Sequence, residues 1–284
     1  MGMEWSHEPS PEKMRQENDE VLQAVRAHSD RAFGFVYLNP RHTQASLQAW
    51  AGTLDGLPHK DLPAANARLA EECRRFGKGM LLPFGSINPT MPDWLEELRR
   101  CARVHHMRGI RLHPNYHGYA LDDPRFERLL RHAAELNLIV QLALVMEDER
   151  MMHARLRVDP VDTEPLAAIV KRTAGLRLVL LNALRTLRGP MLPSLLGAGD
   201  VCLDLAMIEG VGGLGSLLTQ TSADRVLFGS HAPLFYFEAA ELKLKESRLT
   251  TSQARAIRFG NATRLFDATS PLDSSPNYFV NSRG

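Results

Sequence analysis

The stretch Arg111-Leu-His-Pro-Asn-Tyr-His-Gly-Tyr119 gathers an arginine, two histidines, an asparagine and two tyrosines at the end of an apolar segment. An imidazole titrates near neutral pH, so His113 and His117 can act as general acid and base or as metal donors. The planar fork of Arg111 suits a carboxylate. A structural use is equally open, with His113 capping a strand end and His117 solvated in a loop, since imidazoles commonly satisfy backbone groups.

A second stretch, Phe228-Gly-Ser-His-Ala-Pro233, ends an apolar segment in small residues around His231. Small neighbours leave room for a ligand, and a strand-end histidine bonded to its neighbours is the alternative. Asp204 lies within Val201-Cys-Leu-Asp-Leu-Ala206, where an unpaired charge is costly to bury. Arg111, Arg185 or His231 can partner it, in a structural ion pair or in chemistry. The candidate catalytic residues are therefore His113, His231 and Asp204. Candidates for substrate contact are Arg111, Asn115, His117, Tyr119, Gln141, Asn182, Arg185 and Glu209; the last opens the Glu-Gly-Val-Gly-Gly loop, whose glycines permit ligand approach or an ordinary turn.

These residues need a scaffold that brings chain-distant loops to one face. Short apolar runs alternate with amphipathic stretches along the chain, the pattern of βα units around a parallel sheet. The runs Phe33–Leu38, Ala49–Thr53, Met80–Gly85, Gly109–His113, Ile139–Val145, Leu178–Leu181, Val201–Ala206 and Arg225–Gly229 predict eight strands. Helices are predicted after Ser10, over Pro92–Val104, over Pro124–Leu136 and over Glu164–Thr173. A (β/α)8 barrel follows, with its chemistry on the loops after the strand C-termini, which is where the candidates fall, together with Glu147 and Asp148.

The first unit is irregular. Only Asn39 to Gln48 separates the first two predicted strands, short for a parallel crossover. Asn18 to Pro40 also echoes Asn66 to Pro89, either because two units of one barrel look alike or because residues 1–48 are a rearranged start. One barrel domain is expected over residues 1–266, with 1–48 atypical and 267–284 a polar tail.

Composition narrows the ligand. The chain has 284 residues, 44% of them hydrophobic, with 34 basic and 33 acidic side chains. That balance leaves no strong electrostatic footprint for nucleic acid or a membrane surface, so a small-molecule substrate is expected. Cys73, Cys101 and Cys202 are far apart and form no zinc spacing, and no segment reads as a signal peptide or membrane span, so a reducing cytoplasm is the expected location. Trp5, Met14 and the aromatics Phe235, Tyr236 and Phe237 leave a homo-oligomer open, although the last three are expected in a pocket or in the core. No Walker pattern, strand-linked GxGxxG, nucleophile elbow or CxxC is present.

Three segments together carry a likeness: RGIRLHPNYHGYALDDPRF, DRVLFGSHAP and RAIRFGNATRLF. They resemble the amidohydrolase-related family whose best-known member is aminocarboxymuconate-semialdehyde decarboxylase, over roughly Ala49 to Phe266. The resemblance implies a barrel holding one metal, usually zinc, through a His-x-His after the first strand, a histidine after the fifth and an aspartate after the eighth, with a further histidine after the sixth. This sequence departs from that set. It has no His-x-His, the fifth-strand position reads Ala143 or Gln141, the sixth reads Asn182, and the aspartate is His231. A relocated divalent-metal site would have to draw on His113, His117 and His231, with Asp204 or Glu147. The implied function is a hydrolase or related lyase acting on a small carbonyl or carboxylate substrate. The alternative is a metal-free or inactive barrel kept as a small-ligand or interaction scaffold.

Overall fold

The computed structural model describes residues 49–52, 56, 61–77, 79–146, 157–187, 189–232 and 234–267. Seven strands form a single parallel sheet in sequence order: β1 (Ala49–Ala51), β2 (Leu81–Ser86), β3 (Gly109–Leu112), β4 (Ile139–Ala143), β5 (Arg177–Leu181), β6 (Asp200–Asp204) and β7 (Val226–Leu227). Each corresponds to a predicted strand with ends shifted by a few residues. Phe33–Leu38, the expected first strand, and the helix expected after Ser10 lie outside the described residues.

The helices are α1 (Leu62–Phe76), α2 (Trp94–Arg103), the short α3 (Pro114–His117), α4 (Pro124–Glu135), α5 (Leu166–Arg172), α6 (Met191–Leu196), α7 (Gly213–Leu217), α8 (Phe237–Glu246), α9 (Thr251–Arg255) and α10 (Asn261–Asp267). Local signals explain where several begin. Asp61 and Asp123 cap α1 and α4, each accepting an early backbone amide ahead of a proline in the first turn. Thr250 and Gln253 form a capping box at α9.

Alternation along each strand sorts the side chains between two cores. Ile110, Leu112, Val140, Leu142, Leu178, Leu180, Val201 and Leu203 face outward and pack against helix residues such as Leu98, Phe126 and Leu129. The intervening positions Phe84, Ile139, Ala143, Val179, Leu181, Cys202 and Leu227 form a smaller core on the concave face. Both faces are buried, which is why these strands are apolar throughout.

The concave face is closed at its strand N-terminal end by the last helix. Leu265 of α10 is fully buried in the inner core, its carbonyl accepts from Arg177 Nη1 at 3.3 Å, and Arg264 pairs with Asp200 at 3.3 Å. A π-helical turn, Ala256–Gly260, joins α9 to α10 and lets the Ile257 carbonyl accept the Phe228 amide at 2.9 Å.

Candidate functional site

Pairing register places Arg111 of β3 beside Gln141 of β4, level with Val179 and Cys202 on the next strands. Both polar side chains point inward, and Arg111 Nε donates to Gln141 Oε1 at 2.8 Å. The opposite flank is Gly52, just beyond β1: a Cβ built there would stand 2.5 Å from Arg111 Nη1. Gln141 holds the guanidinium from one side, and Gly52 leaves room for it on the other. Arg111 keeps some solvent exposure, and although desolvation lowers its pKa to about 10, with Asp204 opposing the shift, it is a cation at neutral pH.

Asp204 ends β6 on the same face and is buried. Its Oδ1 accepts the Asn182 backbone amide at 2.9 Å, and the Ala206 amide donates to the same carboxyl group. Burial pushes its pKa up to about 6, against the opposing pull of these amides, Arg111 and Lys243. Gly229, after β7, makes room for it, since a Cβ there would lie 2.8 Å from Asp204 Cβ and 2.9 Å from Oδ2.

His113 follows β3 directly and is 2% exposed. Burial and the neighbouring Arg111, His117 and His231 hold its pKa well below the usual imidazole value, so it is neutral at pH 7. Its Nδ1 is buried without a partner. His117, one helical turn on, donates from Nε2 to the Gly56 carbonyl at 2.6 Å, which fixes its tautomer and leaves Nδ1 as a bare acceptor. The two rings lie 6.0 Å apart, nearly edge to face.

His231 and Asn182 adopt left-handed backbone conformations, with φ of 53° and 57°. Such strain in non-glycine residues concentrates at functional sites. His231 Nε2 donates to the Met146 carbonyl at 2.6 Å, and burial lowers its pKa to about 4. Asn182 Nδ2 donates to the Val145 carbonyl at 2.8 Å and lies 3.3 Å from His231 Nε2. Both atoms already donate elsewhere, so that contact is not a hydrogen bond. The Asn182 Oδ1 is buried and unpartnered.

The remaining sequence candidates divide. Arg185 reaches Glu209 at 3.5 Å, bracing the loops after β5 and β6 against each other at the rim. Asn115 on α3 donates to the Asp159 carbonyl at 3.2 Å and so ties down the segment before α5. Tyr119 packs against Phe126 in the outer core rather than on the concave face. Tyr236 and Phe237, expected in a pocket or the core, are 73% and 42% exposed, with Phe237 packed edge-on against Phe228 at 5.4 Å; Phe235 stands 5.1 Å from the His231 ring. Glu147 and Asp148 lie outside the described residues.

Two contributors were missed in the sequence, Gly52 and Lys243. Lys243 of α8 donates to the carbonyls of Leu205 and Ala206, gripping the turn whose Ala206 amide serves Asp204. Its only sequence signal is a lysine beside the buried stripe Ala240 and Leu244.

The metal implied by the family resemblance does not fit this residue set. A catalytic zinc takes three protein donors of the His, Asp, Glu or Cys type. Among the described residues no three such side chains group closely enough to hold a metal ion. His231 has its Nε2 committed to a carbonyl, Asn182 and Gln141 are amides, and the inner face is occupied by the Arg111 cation. His113 and His117 offer two free nitrogens, one donor short of such a site.

A family model described as Amidohydrolase matches residues 59–268 of the chain. No curated protein matches it. Among solved structures, 2,6-dihydroxybenzoate decarboxylase from Rhizobium is similar with a TM-score of 0.56 and 18% identity, over 72% of this chain and 76% of that one. The 5-carboxyvanillate decarboxylase of Sphingomonas paucimobilis gives a TM-score of 0.60 and 14% identity, over 76% and 77%. The 5-carboxyvanillate decarboxylase of Novosphingobium aromaticivorans, solved with bound manganese, gives 0.63 and 16%, over 91% and 85%. At these identities the likeness establishes the fold of the chain and not its chemistry.

Proposed function

We propose, from the premise that this chain belongs to the amidohydrolase family, that it is a lyase of the decarboxylase type acting on a small carboxylated substrate at the C-terminal end of its sheet. The observation that carries this reading is a partly exposed cation, Arg111, on the same face as a buried carboxyl, Asp204, whose pKa of about 6 suits proton transfer near neutrality. Hydrolysis needs an activated water in addition, and among the described residues the donor set that would activate one on a metal is incomplete. Decarboxylation needs less: the bond to the carboxylate breaks, carbon dioxide leaves, and the electron pair left on carbon takes a proton.

Asp204 in its protonated form supplies that proton. Arg111 stabilises the negative charge that moves into the substrate as the bond breaks, with Gln141 holding it in place. His113, a neutral imidazole with an unpartnered Nδ1, meets a hydroxyl or carbonyl of the substrate. The solved neighbours are named for decarboxylation of hydroxylated aromatic acids, which makes such acids the first substrates to try. An eighth strand from Phe33–Leu38 would close the sheet into a full barrel around this site.

A binding scaffold without turnover is the second reading, favoured by His231 and Asn182, which use their side chains on the Met146 and Val145 carbonyls. Carbon dioxide release from a panel of hydroxybenzoates separates the two. Turnover by the wild type that Asp204→Asn abolishes supports the lyase. Binding of panel members without release by either form sinks it.

A further inference from the structure

We infer that the Arg111 guanidinium, fixed between Gly52 and Gln141, is the electropositive centre of this site and takes the place of the divalent cation implied by the family resemblance, so that a small carboxylate binds without metal. This inference rests on the small-carboxylate reading above and deepens it by naming what holds the anion.

Three observations converge on it. First, the guanidinium is held by a hydrogen bond of 2.8 Å to Gln141 and occupies the space that Gly52 leaves on its other side, where a methyl would stand 2.5 Å from Nη1. A fixed charge needs no reorganisation when an anion arrives. Second, the partner at position 141 is an amide. Its oxygen accepts from Nε without cancelling the charge, whereas a carboxylate there would form a closed ion pair and leave nothing for a ligand.

Third, among the described residues the titratable groups facing Arg111 leave it as the cation available to a ligand. His117 and His231 each have Nε2 on a backbone carbonyl, of Gly56 and Met146, at 2.6 Å. Lys243 has its ammonium on the Leu205 and Ala206 carbonyls, and Asp204 supplies the opposing negative charge from the end of β6. A divalent ion entering this face would meet the Arg111 guanidinium and, from His113 and His117, two imidazole nitrogens, one donor short of a zinc set. A singly charged oxyanion would meet the Arg111 cation, held by Gln141, with Asp204 as the opposing charge.

Calorimetric titration with benzoate tests the inference on the full chain, before and after treatment with a chelator, and again with one equivalent of zinc or manganese added. The same affinity is expected in all three states. Arg111→Gln should weaken benzoate about tenfold or more, the loss typical of one charge-assisted contact, and Arg111→Lys by less. Gly52→Ala keeps the charge but displaces the guanidinium, and should weaken binding with circular dichroism unchanged, which guards against a folding defect in Arg111→Gln. Benzoate binding that disappears on chelation and returns with metal overturns the arginine-centred site while leaving the small-carboxylate reading standing. Benzoate binding unaffected by Arg111→Gln and Gly52→Ala also overturns it. No benzoate binding in any state overturns both.

Discussion

The backbone amide of Asn182 donates to Asp204 Oδ1 at 2.9 Å, joining the end of β5 to the end of β6 across the mouth of the sheet. Asn182 can present that amide because its backbone is left-handed at φ 57°, which turns the chain sharply after β5. A backbone donor survives a substitution at position 182 that keeps this left-handed turn, such as Asn182→Gly. The orientation of the carboxyl is therefore set by the turn and not by the asparagine side chain.

Asp204→Asn removes the transferable proton while preserving the shape of the group. The rate of carbon dioxide release should fall by about 100-fold or more, the usual contribution of a positioned acid or base. In the wild type, kcat/KM should carry a limb with a midpoint near pH 6, the value to which burial raises Asp204, and this limb should be missing in the variant. A profile with the same limb in both proteins would assign it to another group.

The two buried groups at the mouth link stability to pH with opposite signs. Asp204 has a folded pKa of about 6, above its ordinary 3.8, so between these values the native state holds more protons and stability falls as pH rises. His231 has a folded pKa of about 4, below its ordinary 6.5, so in that window the unfolded state holds more protons and stability falls as pH drops. Asp204→Asn should steepen the loss of stability between pH 6 and pH 4, and His231→Asn should flatten it. Urea unfolding at a series of pH values reads both slopes.

Gly229→Ala places a methyl 2.8 Å from Asp204 Cβ, a distance that real Cβ contacts do not show. The carboxyl must shift or β7 must move outward. Overpacking of this kind costs about 1–3 kcal/mol, read from denaturant midpoints. Activity should drop further than stability accounts for, because the displaced carboxyl loses its two amide donors.

Lys243→Met keeps the aliphatic stem and removes the ammonium from the Leu205 and Ala206 carbonyls. Its effect on Asp204 is indirect, through the turn and through lost positive charge, so the variant should fold and turn over slowly with the pH midpoint displaced upward. Lys243→Arg should restore the midpoint. A change in rate with no change in midpoint would make Lys243 structural only.

Much of the architecture was legible in the sequence because it depends on local rules. Ile139–Val145 and Leu178–Leu181 announce strands buried on both faces by continuous apolar composition, and the Asp-Pro steps at Asp123 and Pro124 announce a helix start. Strand ends were read too long at Val201–Ala206 and Arg225–Gly229, where pairing stops at Asp204 and Leu227 because the chain turns to serve the mouth. Tyr119 illustrates the limit: composition placed it with the site, but its neighbours Leu121 and Phe126 draw the ring into the outer core.

What the sequence alone determined is the set of groups available and the face that would carry them: His113, Asp204 and His231 at strand ends, Arg111 and Gln141 in the same strand-end regions, and no His-x-His anywhere. Apolar runs ending in polar residues suffice for that, since chemistry on a parallel barrel falls after the strand C-termini. Only the tertiary structure decided which of these groups meet. Arg111 with Gly52, Asp204 with Gly229 and Lys243 with the 205–206 turn are contacts between elements well separated along the chain. They depend on strand register and on burial, which set both the distances and the pKa values, and neither is a property of any local stretch of residues.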